Sequence, residues 1–110
     1  MLNFLFSAPY EERKVANYQD DAKGLVVDTC AVTDAAWNYE TAIKHPEYKD
    51  GRFIIVAGYA TKAEAEAGHA KWVKKMTAKS LPEYLDDCPS DGWNAALGNS
   101  GREFRKAKAV

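Results

Sequence analysis

The chain has 110 residues, of which 46% are hydrophobic, 28% charged and 12% aromatic. That is the size of one domain, able to bury a modest core without disulfides or a structural metal, and the composition is that of an ordinary globular protein. The net charge of −1 excludes a global pull toward nucleic acid or a membrane surface, although residues 1–50 balance at −4 and residues 51–110 at +3.

Residues 1–9, MLNFLFSAP, form an apolar arm. It has no basic region ahead of it and stops at a proline, so it reads as neither a signal peptide nor a membrane span. Two readings are open for Met1, Leu2, Phe4 and Phe6: a first strand on the domain's own core, or an arm that docks onto another chain. Cys30 and Cys88 are too few for a secreted disulfide framework, which points to a cytosolic setting with reduced thiols; a bridge between them requires an oxidising one.

Residues 13–18 and 25–32 read as two strands joined by the turn-rich hexapeptide QDDAKG. Leu25, Val27, Thr29 and Ala31 are expected to point inward. Residues 37–43 alternate, with Trp37, Tyr39, Thr41 and Ile43 on one face. His45-Pro46 ends that strand, since proline restricts its predecessor and lacks an N–H. An Asp50-Gly51 turn leads to the most apolar strand, residues 52–59. The last two strands should form an antiparallel hairpin.

The segment YATKAEAEAGHAKWVKKMTAK, residues 59–79, predicts the main helix. Thr61 and Glu64 form a T-x-x-E capping box, and alanine, glutamate and lysine follow. At 100° per residue Ala65, His69, Ala70, Trp72, Val73 and Met76 share one arc, and Glu64, Lys71, Lys75 and Lys79 the opposite one. Gly68 costs about 1 kcal/mol against alanine mid-helix, so a large aromatic or a backbone is expected to approach there. Ser80 then reads as an N-cap and Pro82 as the first turn of a short helix ending near Leu85. An acidic loop over 86–92 follows, then a further helical turn over 93–97, a Gly-Asn-Ser-Gly breaker, and a basic tail over 101–110.

The expected architecture is α+β: an antiparallel sheet of about four strands, one main helix across one face, and a short C-terminal helical segment. The single domain spans 10–100, between the arm and the tail.

No motif in the sequence carries chemistry. His69 lies on the apolar arc and is expected to be partly buried, donating to a backbone carbonyl or a strand hydroxyl. No serine, cysteine or carboxylate stands at a spacing that makes it a catalytic base. Cys30, Cys88, His45 and His69 lack the close spacing of a zinc knuckle or finger. Asp86, Asp87 and Asp91 do not follow the ligand order of an EF-hand loop. There is no Gly-rich phosphate loop, nucleophile elbow or dinucleotide fingerprint. The expectation is a non-enzymatic chain with no cofactor and no metal. Lys71, Lys75 and Lys79, with Arg102 and Arg105 in the tail, are the basic clusters that could meet a partner.

Trp37-Asn38-Tyr39-Glu40-Thr41-Ala42, followed by Tyr59-Ala60-Thr61-Lys62-Ala63-Glu64-Ala65 and Ala67-Gly68-His69, resembles a group of small tailed-bacteriophage proteins. These share an aromatic-E-T strand and a Y-[AS]-T-x-x-E-A-x-x-G-H helix start. The resemblance covers residues 37–76 and implies a viral origin and an α+β fold, with no activity or site. The functional expectation is a bacteriophage protein acting through protein–protein contacts, as a small virion-associated component. The alternative is an inhibitor of a host defence or regulatory protein, of the anti-CRISPR-like kind. A weaker alternative is a nucleic-acid-binding accessory protein using the lysines and the tail. The partner is then a phage structural protein or a host protein, met in the host cytoplasm or the virion, with no membrane.

Overall fold

The computed structural model describes residues 10–32, 37–88 and 103–107. A single helical turn, α1 (Tyr10–Arg13), leads into β1 (Lys14–Asp20). β2 (Leu25–Ala31), β3 (Tyr39–Lys44) and β4 (Ile54–Tyr59) follow, and the four strands form one antiparallel meander in chain order. The helix α2 (Lys62–Met76) packs on one face of the sheet. A two-stranded ribbon of β5 (Tyr84–Asp86) and β6 (Glu103–Arg105) completes the described chain.

Local chemistry accounts for the meander. The β1–β2 turn closes with Lys23 N–H bonding Asp20 O at 3.2 Å and Gly24 N–H bonding Asp21 O at 3.2 Å. Gly24 sits at φ +66°, where a side chain is disfavoured. β3 and β4 pair from Tyr39↔Tyr59 to Ile43↔Ile54, with a bulge at Thr41/Ala42. Their connection runs through Pro46 and a 3-10 turn at Lys49–Gly51. Lys49 and Asp50 both adopt positive φ, at 49° and 54°, which costs each roughly 1 kcal/mol. The chain holds that turn because Tyr48, 1% exposed, plugs this end of the core and donates its hydroxyl to Pro82 O.

The inward face is as the alternation requires. Leu25, Val27 and Thr29 are fully buried, and so are Thr41 and Ile43 on β3. With Ile54, Tyr48, Met76 and Leu85 they fill the space between sheet and helix. The capping box is present: Glu64 N–H bonds Thr61 Oγ1 at 3.2 Å, and Thr61 N–H bonds Glu64 Oε1 at 3.1 Å. Ala65, His69 and Met76 are the buried helix residues, with Trp72 and Val73 half-buried beside them.

The structure departs from the sequence reading at five places. Ala70 is exposed, so the buried stripe of α2 is narrower than the apolar arc. The helix stops at Met76: the C-cap Thr77 leaves helical geometry at φ −106° and ψ 1°, with its hydroxyl bonded to Val73 O. Lys79 therefore lies beyond the helix and does not extend the Lys71–Lys75 row. The helical turn expected over residues 80–85 is replaced by β5, where Leu85 buries in the main core and faces Phe104 across the ribbon. Residues 103–105, expected within a free tail, are its partner strand β6. Trp37 stands outside the ladder, which begins at Tyr39, and does not share the inner face with it. Its ring lies on the opposite side, over Gly58, whose pairing partner Glu40 is outward-facing. The arm over 1–9, the loop over 89–92 and the turn over 93–97 lie outside the described residues.

Candidate functional site

The two faces of the sheet have different chemistry, and among the described residues α2 covers one of them. On the helix side a polar chain crosses the core. His69 Nδ1 lies 2.7 Å from Thr29 Oγ1, Thr29 Oγ1 lies 2.6 Å from Thr41 Oγ1, and Thr41 Oγ1 lies 3.0 Å from the Tyr59 hydroxyl. Three hydrogen bonds in series thus join α2 to β2, β2 to β3 and β3 to β4. Each hydroxyl has one proton to give, so with neutral His69 accepting at Nδ1 the donation runs from Tyr59 to Thr41 to Thr29 to His69. An imidazolium would donate from Nδ1 and force that direction to reverse. Burial pushes the His69 pKa down, opposed by the charge of Asp28, and burial pushes the Tyr59 phenol up, opposed by the Thr41 bond. The arrangement is a satisfied core network with the strand-hydroxyl partner expected for His69, although neutral His69 accepts at Nδ1 where the sequence reading had it donate.

The opposite face carries Asn17 and Gln19 from β1, Val26, Asp28 and Cys30 from β2, Ala42 and Lys44 from β3, and Ile55 from β4, as the strand registers require. A groove of about 620 Å³ runs over part of it, lined by Lys14, Asn17, Val26, Asp28, Lys44 and Phe53 among others. Asn17 Nδ2 donates to Asp28 Oδ1 at 2.9 Å, and Lys14 pairs with Glu11 at 3.1 Å. Two large aromatics stand exposed on this side: Phe53 at 47%, with the Lys44 ammonium 5.9 Å from its ring centre, and Trp37 at 39%. Phe53 precedes β4 and Gly58, under the Trp37 ring, is five residues further on. At about 3.3 Å per residue the two aromatics mark the ends of a stretch of roughly 16 Å.

Neither thiol is set up as a nucleophile. Burial, then Asp28, pushes the Cys30 thiol up, against the nearby Arg13. Burial pushes Cys88 up as well, with a hydrogen bond from Trp37 opposing it. A raised thiol pKa leaves little thiolate at neutral pH. Neither cysteine is in a disulfide. Cys30 is on β2, whereas the Cys88 N–H bonds Ile55 O on β4 with β3 lying between, so the backbones are at least two strand spacings apart, roughly 10 Å, beyond disulfide reach. Among the described residues no group of three or more His, Cys, Asp or Glu stands close enough to hold a metal ion.

The basic residues are dispersed. Lys71 and Lys75 are exposed on α2, and the Lys75 ammonium lies 4.6 Å from the Trp72 ring centre. Arg105 sits on β6, where it pairs with Glu83 at 3.5 Å and lies over Tyr84. It belongs to a different element from the helix lysines. Met1, Leu2, Phe4, Phe6 and Arg102 lie outside the described residues. The sequence reading did not single out Phe53 or the aromatic position of Trp37 on the open face. Phe53 had a local signal, being out of phase with the buried Ile54; Trp37 had none, because its place depends on Gly58 across the sheet.

No protein-family model matches the chain, and no curated protein and no solved structure matches it. No helix among the described residues is long and apolar enough to cross a membrane.

Proposed function

We propose that the chain is a non-enzymatic bacteriophage protein that works through protein–protein contacts, as a small component associated with the virion. The observation that supports an interaction role is the open sheet face, with Phe53 and Trp37 exposed at its two ends and a polar groove between β1 and β3. Exposed aromatics within a polar surround are the composition that protein interfaces favour at their centres. The non-enzymatic reading is supported by the burial that raises both thiols and by the bond of His69 Nδ1 to Thr29 within the core. The phage assignment rests on the strand-to-helix motif over residues 37–76, and places the protein in the host cytoplasm and the particle.

The test is mass spectrometry of purified particles together with affinity capture from infected lysate. Stoichiometric recovery in particles is the expected result. Recovery only from lysate, bound to one host protein, would replace the virion role with that of a host-directed inhibitor. DNA affinity falling steeply with salt and lost on changing Lys71 and Lys75 would replace both with a nucleic-acid role.

A further inference from the structure

A second recess opens at the end of the sheet where three connections meet. It has a volume of about 310 Å³ and lies between the β1–β2 turn, the start of the β3–β4 loop and the segment after α2. Its lining combines apolar Met76, Leu81 and Pro46 with the exposed lysines Lys23 and Lys79. His45 forms one wall and is 6% exposed. The His45 ring is fixed: Nδ1 accepts from Glu47 N–H at 3.1 Å, and the Tyr48 ring meets it edge-on at 5.6 Å. Neutral His45 therefore carries its proton on Nε2, 4.0 Å from a Glu47 carboxylate oxygen. Lys106, just after β6, is a third cation near the ring: its backbone bonds Glu83 O, and its neighbour Ala107 bonds Glu47 O. Lys23 and Lys79 thus reach the recess from two separate connections, and Lys23 and Lys106 act on the His45 ring beside the Glu47 carboxylate.

We infer that this recess is an anchor site for an acidic side chain of a protein partner, taking a carboxylate between Lys23 and Lys79 and an adjacent apolar residue onto Met76 and Leu81. Charge complementarity selects the carboxylate, and the apolar lining favours a peptide over a bare anion. The inference rests on the protein-interaction reading and adds the chemistry of the partner. It also gives Lys79 a place, since the residue is off the helix and lines this recess.

Burial holds the His45 pKa below its ordinary value, with Glu47 opposing and Lys106 and Lys23 reinforcing. A carboxylate brought into the recess adds a negative charge beside the ring and raises that pKa. The ring's titration is therefore a reporter that a purely structural histidine would not provide.

The experiment is an NMR titration of the full chain with acetyl-Glu-Leu-Glu-Glu-Leu-amide and with its glutamine counterpart, following amide shifts and the His45 ring proton against pH. The expected result is that shifts centre on Lys23, Leu81 and Lys79, that the His45 pKa rises on binding, and that the glutamine peptide binds weakly. Lys23→Ala and Lys79→Ala, both exposed residues, should each weaken binding by about three-fold, as rim charges do. Equal binding of the glutamine peptide, or shifts centred on Lys71 and Lys75, would overturn the inference. An oligonucleotide that displaces the peptide would overturn it together with the protein-interaction reading. A native partner whose affinity is unchanged by the paired Lys23 and Lys79 substitutions would overturn the anchor site alone.

Discussion

The Tyr59 ring occupies the space in which a side chain at Gly68 would stand. Tyr59 ends β4, Gly68 lies in the second turn of α2, and the phenol between them is held by its bond to Thr41. The glycine in the Y-A-T-x-x-E-A-x-x-G-H string is therefore a packing position, set by the tyrosine nine residues before it.

An alanine at position 68 normally stabilises a helix by about 1 kcal/mol. Here Gly68→Ala should destabilise the protein by about 1–3 kcal/mol, because its methyl group meets the Tyr59 ring, whose withdrawal would break the bond of its hydroxyl to Thr41. In a Tyr59→Ala background the same substitution should become neutral or stabilising. Urea unfolding of the four proteins in this cycle gives the coupling directly.

Thr29 links the helix to the sheet through His69 and Thr41. Thr29→Val keeps the shape and removes both bonds, leaving polar groups of His69 and Thr41 short of a partner in a dry core. The expected loss is about 1–3 kcal/mol in urea unfolding. A change no larger than a surface substitution would show that water replaces the hydroxyl.

Acid should weaken the fold through its two histidines. Burial lowers the pKa of His69 and of His45 below the ordinary value of 6.5. Between the folded and the unfolded pKa the unfolded chain binds more protons, so stability rises with pH across that window. The contribution is complete above pH 6.5 and is lost progressively as the pH falls through the depressed values. The urea midpoint should therefore drop between neutral pH and the region below 6.5, and the imidazole proton resonances should titrate below 6.5. Titration of both rings at or above 6.5 contradicts the assignment.

Leu85 ties the β5/β6 ribbon into the main core. Leu85→Ala should cost about 2–5 kcal/mol in chemical denaturation, the range for a leucine in a packed interior. A cost of a few tenths would mean that residues 80–88 do not contribute to the core.

Much of the fold was legible because it is written locally. The capping box needs only Thr61 and Glu64, the buried stripe of α2 only its own period, and the β3–β4 hairpin only alternation around Pro46 and Gly51. What escaped depends on distant partners. Ser80 and Pro82 carry a helix-start pattern, yet Leu85 gains more by burying against Tyr48 and Met76 and by pairing with Phe104. The helix ends early where Thr77 leaves helical geometry, a step invisible to a helical arc. Of the surface, the exposed lysines of α2 were readable, whereas the open face was not. Which aromatics it exposes depends on the bend at Trp37 and on the strand order, and the His45 recess requires three connections to meet.

The most direct test of the interaction account compares affinity capture by the native chain and by Phe53→Asp, with both proteins shown to unfold at the same urea midpoint. Phe53 is 47% exposed with Lys44 beside it, so the substitution is tolerated by the fold and places a charge at one end of the proposed contact. The account predicts that a single protein partner recovered with the native chain is lost with the variant. Recovery of that partner undiminished by Phe53→Asp would contradict the assignment of the open sheet face as the binding surface.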